Sequence, residues 1–181
     1  WETYIVVEKN TGMVLIDQSA LHQRMIYEIF FEAIHKKLVP VETLMSSLLL
    51  ELTPKESVLI EKHLELFSIS GFALSPFGGN TFAVNSIPNF LYEDQVSIVI
   101  SKILNRSEIF TKSGHNEEIL SHISLTVAKS CSIKPNQILR MEEMECLVAQ
   151  WESLGIPPVS LHQTPFLVEF SLQEIEEKIS I

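Results

Sequence analysis

Apolar positions recur along this chain in two rhythms. Around Tyr4-Ile5-Val6-Val7, the β-branched and aromatic run from Thr3 to Glu8 predicts a strand. Met13 to Ile16 predicts another. Lys9-Asn10-Thr11-Gly12 between them is a turn, because Asn and Gly accept positive φ cheaply. Strands joined this tightly form an antiparallel hairpin. The spacing then becomes helical. Asp17 is placed to cap a helix, and Ile26, Ile29, Phe30, Ala33 and Ile34 give that helix a buried stripe, with Pro40 as its stop.

Further on, Leu48 to Leu52 is a short apolar run. Thr53-Pro54-Lys55-Glu56 has the form of a helix start, with Thr53 as cap, Pro54 in the first turn and Glu56 completing a capping box. Val58, Ile60, Leu64 and Phe67 carry that helix towards Gly71. Phe72 to Leu74 and Thr81 to Val84 flank Phe77-Gly78-Gly79-Asn80 and predict a second hairpin, which Pro88 ends. Helices are expected near 92–105 and 116–130, before the break at Lys134-Pro135-Asn136. Met144, Leu147, Val148, Trp151 and Leu154 make a further helical stripe closed by Gly155, within which Cys146 is expected as a small core residue. Pro157-Pro158 forces extended backbone, a strand follows near Phe166 to Phe170, and a short acidic helix starts at Leu172. This order of elements predicts an α+β chain with a second subdomain set into the first.

Composition narrows the possible functions. The chain has 181 residues, of which 46% are hydrophobic, enough for one domain or two small subdomains sharing a core. No apolar stretch approaches the roughly 20 residues that cross a bilayer. Trp1-Glu2-Thr3-Tyr4 lacks the basic and apolar regions of a signal peptide; targeting by residues outside this sequence is left open. Two cysteines, Cys131 and Cys146, make no disulfide framework and fit a reducing compartment. The formal charge of −10 argues against strong duplex binding by this piece alone, since such affinity comes from Lys and Arg meeting phosphates. Gly78-Gly79 lacks the spacing and the following Lys of a phosphate loop, and there is no Gly-x-Ser-x-Gly nucleophile motif.

One stretch stands apart: Leu15-Ile16-Asp17-Gln18-Ser19-Ala20-Leu21-His22-Gln23-Arg24-Met25-Ile26-Tyr27-Glu28, an apolar run ending in an aspartate at the start of an amphipathic helix. It resembles the signature of the C-terminal domains of the MutL family of DNA mismatch-repair proteins. Many members read Asp-Gln-His-Ala-x-x-Glu-x-x-x-x-Glu here and cut DNA with bound metal. Leu50-Glu51-Leu52-Thr53-Pro54-Lys55-Glu56 is similar to the family's Leu-Glu-Leu-Ser-Pro-x-Glu segment. Phe77-Gly78-Gly79-Asn80-Thr81-Phe82, with Val84, Ile87 and Pro88, resembles its phenylalanine-glycine turn. Leu161-His162-Gln163-Thr164-Pro165, with Glu174-Ile175-Glu176, resembles its closing segment. The four segments come in the family's order and span nearly the whole chain.

The resemblance implies a dimerisation subdomain, a mixed sheet with helices, built from about 1–38 and 120–181, and an inserted regulatory α/β subdomain over about 39–119. It implies a homodimer that tethers two N-terminal ATPase arms, and tethering raises the effective concentration of one arm near the other. A symmetric interface needs one patch that complements itself, and an apolar sheet face can supply it. ATP and magnesium are expected in the ATPase domain, which this sequence does not include, and no cofactor is expected here. Implied partners are a MutS-type mismatch-recognition protein, the sliding clamp and a downstream helicase or nuclease. DNA contact falls mainly to the ATPase domain, and no membrane is involved. The implied setting is the bacterial cytoplasm, at the nucleoid during repair.

The metal positions of the resemblance are degenerate. Ser19 stands where the family histidine would be and Gln23 where the first glutamate would be. Ser160 and His162 fall at the cysteine and histidine of a late Cys-Pro-His-Gly-Arg-Pro segment. Of these only His162 is a good zinc ligand. Lys129 replaces the cysteine of a further Ala-Cys-x-x-Ala-Val-Lys segment, and Cys131 lies two residues on, on the wrong helical face for an easy rescue. Asp17 and Glu28 remain as a vestigial acidic pair, with ordinary roles available as a helix cap and a solvated helix residue. Leu44-Met45 matches the apolar pair of a clamp-binding Gln-x-Leu-Leu-x-Pro motif without its glutamine and proline; the competing reading is local core. The expectation is a dimerisation module without nuclease activity of its own. The alternative is a divergent metal-dependent nicking endonuclease using Asp17, Glu28, His162 and Cys131. An interaction domain unrelated to repair is the remaining rival.

Overall fold

The computed structural model describes residues 2–111 and 115–179. Helices and two small antiparallel sheets make an α+β protein, as the order of elements predicts. The chain divides into two compact units. One comprises 1–26 and 132–181, the other 27–131. The expected subdomain limits are about 38 and 120; the two units meet within the helix over Gln18–His35, after Ile26, and at the end of the helix over Asn116–Cys131. The reason is packing: Phe30 and Ile34 of one helix, and Ile119, Leu120, Ile123 and Val127 of the other, belong to the core of the central unit.

The unit formed by the chain's two ends holds a three-stranded sheet. β1 (Tyr4–Lys9) and β2 (Gly12–Asp17) form the expected hairpin, and β6 (Leu167–Ser171) joins the far side of β2. In register, Val6 faces Leu15 and Leu15 faces Val168; Ile5 faces Ile16 and Ile16 faces Leu167. Gly12 is where a side chain cannot go: its φ is +150°, and a Cβ there would lie 1.9 Å from the Phe170 carbonyl oxygen. The core on one face of this sheet gathers Ile5, Val14, Ile16, Leu21, Met25, Leu147 and Phe166. Leu21 and Met25 come from α1 (Gln18–His35), and Leu147 from α7 (Met141–Leu154). Gly155 ends α7 in the left-handed conformation, as its position predicts. Other expectations for these helices fail. Cys146 is exposed rather than a core residue, because α7 is shallowly seated and buries only Leu147. Ile29 of α1 and Leu154 of α7 are also exposed.

The central unit pairs β3 (Val41–Glu51), β5 (Thr81–Pro88) and β4 (Ala73–Gly78) in the order β3-β5-β4. β4 and β5 are the second expected hairpin. β3 starts well before the apolar run at Leu48, and its register shifts between Thr43 and Leu48. The helix expected from Thr53 towards Gly71 is two helices, α2 (Pro54–Lys62) and α3 (Leu64–Ile69), broken at His63, whose φ of −123° is not helical. The Thr53–Glu56 capping box is present. A 3-10 turn at Glu93–Gln95 leads into α4 (Val96–Leu104); α5 (Ser107–Thr111) and α6 (Asn116–Cys131) follow. Phe67, Phe72, Phe82, Ile100 and Ile123 are among the residues closing this core.

Candidate functional site

The sheet of the terminal unit is apolar on both faces. Ile5, Val14 and Ile16 point into the core; the alternate positions point away from it. Those outward positions are Tyr4, Val6 and Glu8 on β1, Met13, Leu15 and Asp17 on β2, and Val168 and Phe170 on β6, apolar but for Glu8 and Asp17. Tyr4 is 40% exposed, Val6 62% and Val168 50%; the register above sets Val6 and Val168 in one row through Leu15, while Tyr4 faces Asp17. An antiparallel sheet with one solvated face ordinarily shows polar residues there. Helix α8 (Leu172–Ile179) adds to this. It contacts β2 and β6, carries Leu172, Ile175 and Ile179 on one helical stripe, and buries none of its residues. Lys178 Nζ sits 5.6 Å from the centre of the Phe170 ring. The result is a broad apolar face on which Val6 and Val168 stand exposed on either side of a half-buried Leu15. The sequence reading names an apolar sheet face as a patch that can pair with its own copy, but does not assign that face to these strands. The missed signal is that both alternating sets of their side chains are apolar apart from the strand ends Glu8, Lys9 and Asp17.

The signature residues lie at the start of α1. Asp17 Oδ1 accepts from the Ala20 N–H at 2.9 Å, which is the helix cap the sequence suggests. Gln18 is buried, and its Nε2 donates to the Glu2 carbonyl at 2.8 Å and the Gln137 carbonyl at 2.6 Å. Sequence reading passed over Gln18, although it ties the chain's first residues to the loop before α7. Ser19 Oγ donates to the Ile133 carbonyl at 2.7 Å, and the Ile133 N–H donates to His22 Nδ1 at 3.1 Å. Burial, and then the charge of Lys134, hold His22 below its ordinary pKa, so the neutral ring that accepts this bond is favoured.

Gln23 Nε2 is buried without a hydrogen-bond partner. Its neighbour Arg24 reaches the late segment: Nη1 donates to the carbonyls of Val159 at 3.2 Å and Ser160 at 3.4 Å. Ser160 Oγ is occupied within its own loop. It lies 2.7 Å from Thr164 Oγ1 and accepts from the N–H groups of His162 and Thr164. His162 is exposed. Zinc takes about four thiolate, imidazole or carboxylate donors. Two hydroxyls bonded elsewhere, a carboxamide and a single exposed imidazole, beside an arginine bonded to the adjoining loop, do not fit that ion. No three His, Cys, Asp or Glu residues gather as a possible metal set among the described residues.

Glu28 is half-buried, not fully solvated, and belongs with Cys131 and Lys129 to the central unit. Leu44 and Met45 part company on β3: Leu44 packs against the central core, whereas Met45 is fully exposed. No described helix is long and apolar enough to cross a membrane.

Comparison with known proteins gives one consistent answer. The chain is 28% identical over 176 residues to the DNA mismatch repair protein MutL of Koribacter versatilis, covering 97% of this chain and 27% of that protein. It is 30% identical to MutL of Clostridium botulinum strain Loch Maree, covering 97% of this chain and 26% of that one. For MutL of Bartonella tribocorum the identity is 25%, with 97% and 28% covered. The chain thus spans about a quarter of the length of these relatives. A family model described as the MutL C terminal dimerisation domain matches residues 1–139. With most of its length matched by that model, and with the same relatives' name recurring across its full extent, the chain belongs to the MutL C-terminal dimerisation domain family.

Proposed function

We propose that this chain is the homodimerisation module of a MutL-type mismatch-repair protein, tethering two N-terminal ATPase arms, and that it has no nuclease activity of its own. One observation carries the reading: the outward apolar face of β1, β2 and β6, exposed at Tyr4, Val6 and Val168. A patch of this kind is a liability on a monomer and an asset in a two-fold interface, where the same residues meet their own copies. The relatives' name supports the repair role. The family's description supports self-association.

The lack of a nuclease is argued from donor chemistry. Arg24 bonded to the Ser160 loop, and Ser19 bonded to Ile133, suit a tied-down scaffold rather than a cation. Asp17 is accounted for by its cap. The wider assembly remains part of the proposal: ATP and magnesium in the ATPase arms, a MutS-type recognition protein upstream, and a clamp, helicase or nuclease downstream. Contact with a clamp through Leu44 and Met45 together would require Leu44 to leave the core it packs against, so that contact is left out of the reading.

Sedimentation equilibrium tests the first half: a dimer at micromolar concentration is expected, and a monomer there contradicts it. Supercoiled plasmid incubated with manganese and the chain tests the second. No nicking is expected; nicking that Asp17→Asn abolishes would overturn it.

A further inference from the structure

A groove of about 760 Å³ opens in the terminal unit beside β1, at the free edge of the sheet rather than on its broad face. The Gln18 N–H bonds to the Thr3 carbonyl, and Asp17 bonds the other way, to Phe166. Alternation along an antiparallel ladder then turns the N–H and C=O groups of Tyr4, Val6 and Glu8 away from β2 and out over this edge. An unpaired edge is a template for a further strand unless something blocks it. β1 carries neither a proline nor a bulge.

The opposite wall comes from α7 and the residues just before it. Met141, Met144 and Val148 line it, and Ile138 stands 72% exposed at its mouth. Four carboxylates ring this apolar floor: Glu2, Glu8, Glu145 and Glu152. None of the four makes an ion pair within the described residues, and no lysine or arginine lines the groove. Adaptable methionines, an open strand edge and an uncompensated acidic rim are together the elements of a peptide site.

We infer that this groove takes an extended peptide segment of another protein, bearing lysine or arginine among apolar residues, which adds to β1 as a fourth strand. Main-chain bonds to Tyr4, Val6 and Glu8 hold the segment. Apolar side chains enter between β1 and α7, and the basic ones meet the glutamates. Charge decides the occupant. A second copy would bring its own four glutamates to the same edge, whereas a basic segment neutralises them. The groove borders the broad sheet face of the dimer reading and shares Tyr4 and Val6 with it, whereas its α7 wall shares no residue with that face.

The test uses a fluorescent heptapeptide of alternating lysine and valine, a matching peptide with glutamate for lysine, and a third with alternate backbone nitrogens methylated. At low salt the basic peptide binds, and the other two bind at least about tenfold more weakly. On binding, the amide resonances of Tyr4, Val6 and Glu8 shift and their exchange slows. Reversing two exposed charges on α7, Glu145→Lys with Glu152→Lys, weakens the basic peptide about tenfold or more without loss of helix content. Equal binding of acidic and basic peptides overturns the inference, as do silent β1 amides or an indifferent double variant. Sedimentation of the same samples keeps the two readings apart. Peptide that breaks the dimer would make the groove's occupant a second copy and overturn the inference. A monomer that still binds the basic peptide would instead contradict only the dimer reading.

Discussion

His22 shows how a single side chain couples this fold to pH. Its Nδ1 accepts from the Ile133 N–H, a bond that a protonated ring cannot accept. His122 is buried as well. Its Nε2 lies 3.1 Å from the Ile103 carbonyl, and its Nδ1 has no hydrogen-bond partner. Burial lowers its pKa; the Ile103 carbonyl opposes that shift, and nearby Arg106 adds to it. Both rings therefore titrate below the ordinary 6.5 when folded. Between the unfolded and folded values the unfolded chain binds more protons, so their contribution is present above 6.5 and is lost as pH falls through the folded values. His35 has the opposite sign. The Phe31 carbonyl and then Glu117 raise its pKa, but it is exposed and screened. The urea midpoint should therefore be lower at about pH 5.5 than at about pH 7.5. His22→Asn, which retains an acceptor, should flatten that slope; a slope unchanged in the variant would remove His22 from the account. Legibility at this scale follows sequence distance. The Asp17 cap and the Thr53–Glu56 box span three residues each and could be read directly. Gln18, His22 and Arg24 find their partners in segments more than a hundred residues away, and no local pattern announces such bonds.

Among the elements, the most constrained contact is that of β2 with β6 at Gly12. Any Cβ there meets the Phe170 carbonyl and also strains a φ of +150°. Gly12→Ala should cost on the order of 2 kcal/mol or more in urea unfolding, because the strands must separate or the backbone must turn. A loss under about 0.5 kcal/mol, the scale of an ordinary surface change, would show that this approach is not needed. Strand and helix positions were largely readable from apolar rhythm, and the failures have physical causes. Thr43 to Ser47 does not alternate, because β3 shifts register there, so half of that strand was invisible. The helix break at His63 leaves no mark in the apolar spacing. It coincides with His63 packing edge-on against Phe110, 5.4 Å between ring centres, and with its Nε2 lying 3.1 Å from the Phe110 carbonyl. Cys146 lay within a convincing stripe, yet periodicity says which positions share a face and not how deeply that face is buried. The outward sheet face was hidden for a related reason. Its third strand, β6, comes from the opposite end of the chain, and only that pairing aligns Val168 with Leu15 and Val6.

For the molecule as a whole, family membership and the apolar face point the same way. A chain with a formal charge of −10 is a poor duplex binder, and a poor candidate for association through charge alone. What it offers a second copy is apolar area: the row Val6–Leu15–Val168 and the exposed stripe of α8. The most direct measurement is the equilibrium sedimentation mass of the chain beside that of Val168→Lys, both checked for unchanged secondary structure. Val168 lies outside the β1 groove, so the substitution reports on the broad face alone. A buried, unpaired ammonium costs several kcal/mol, so the dimer should dissociate about a hundredfold or more readily and the variant should sediment as a monomer at micromolar concentration. A variant that remains as dimeric as the parent chain would mean that the copies join elsewhere, and the central claim would be wrong.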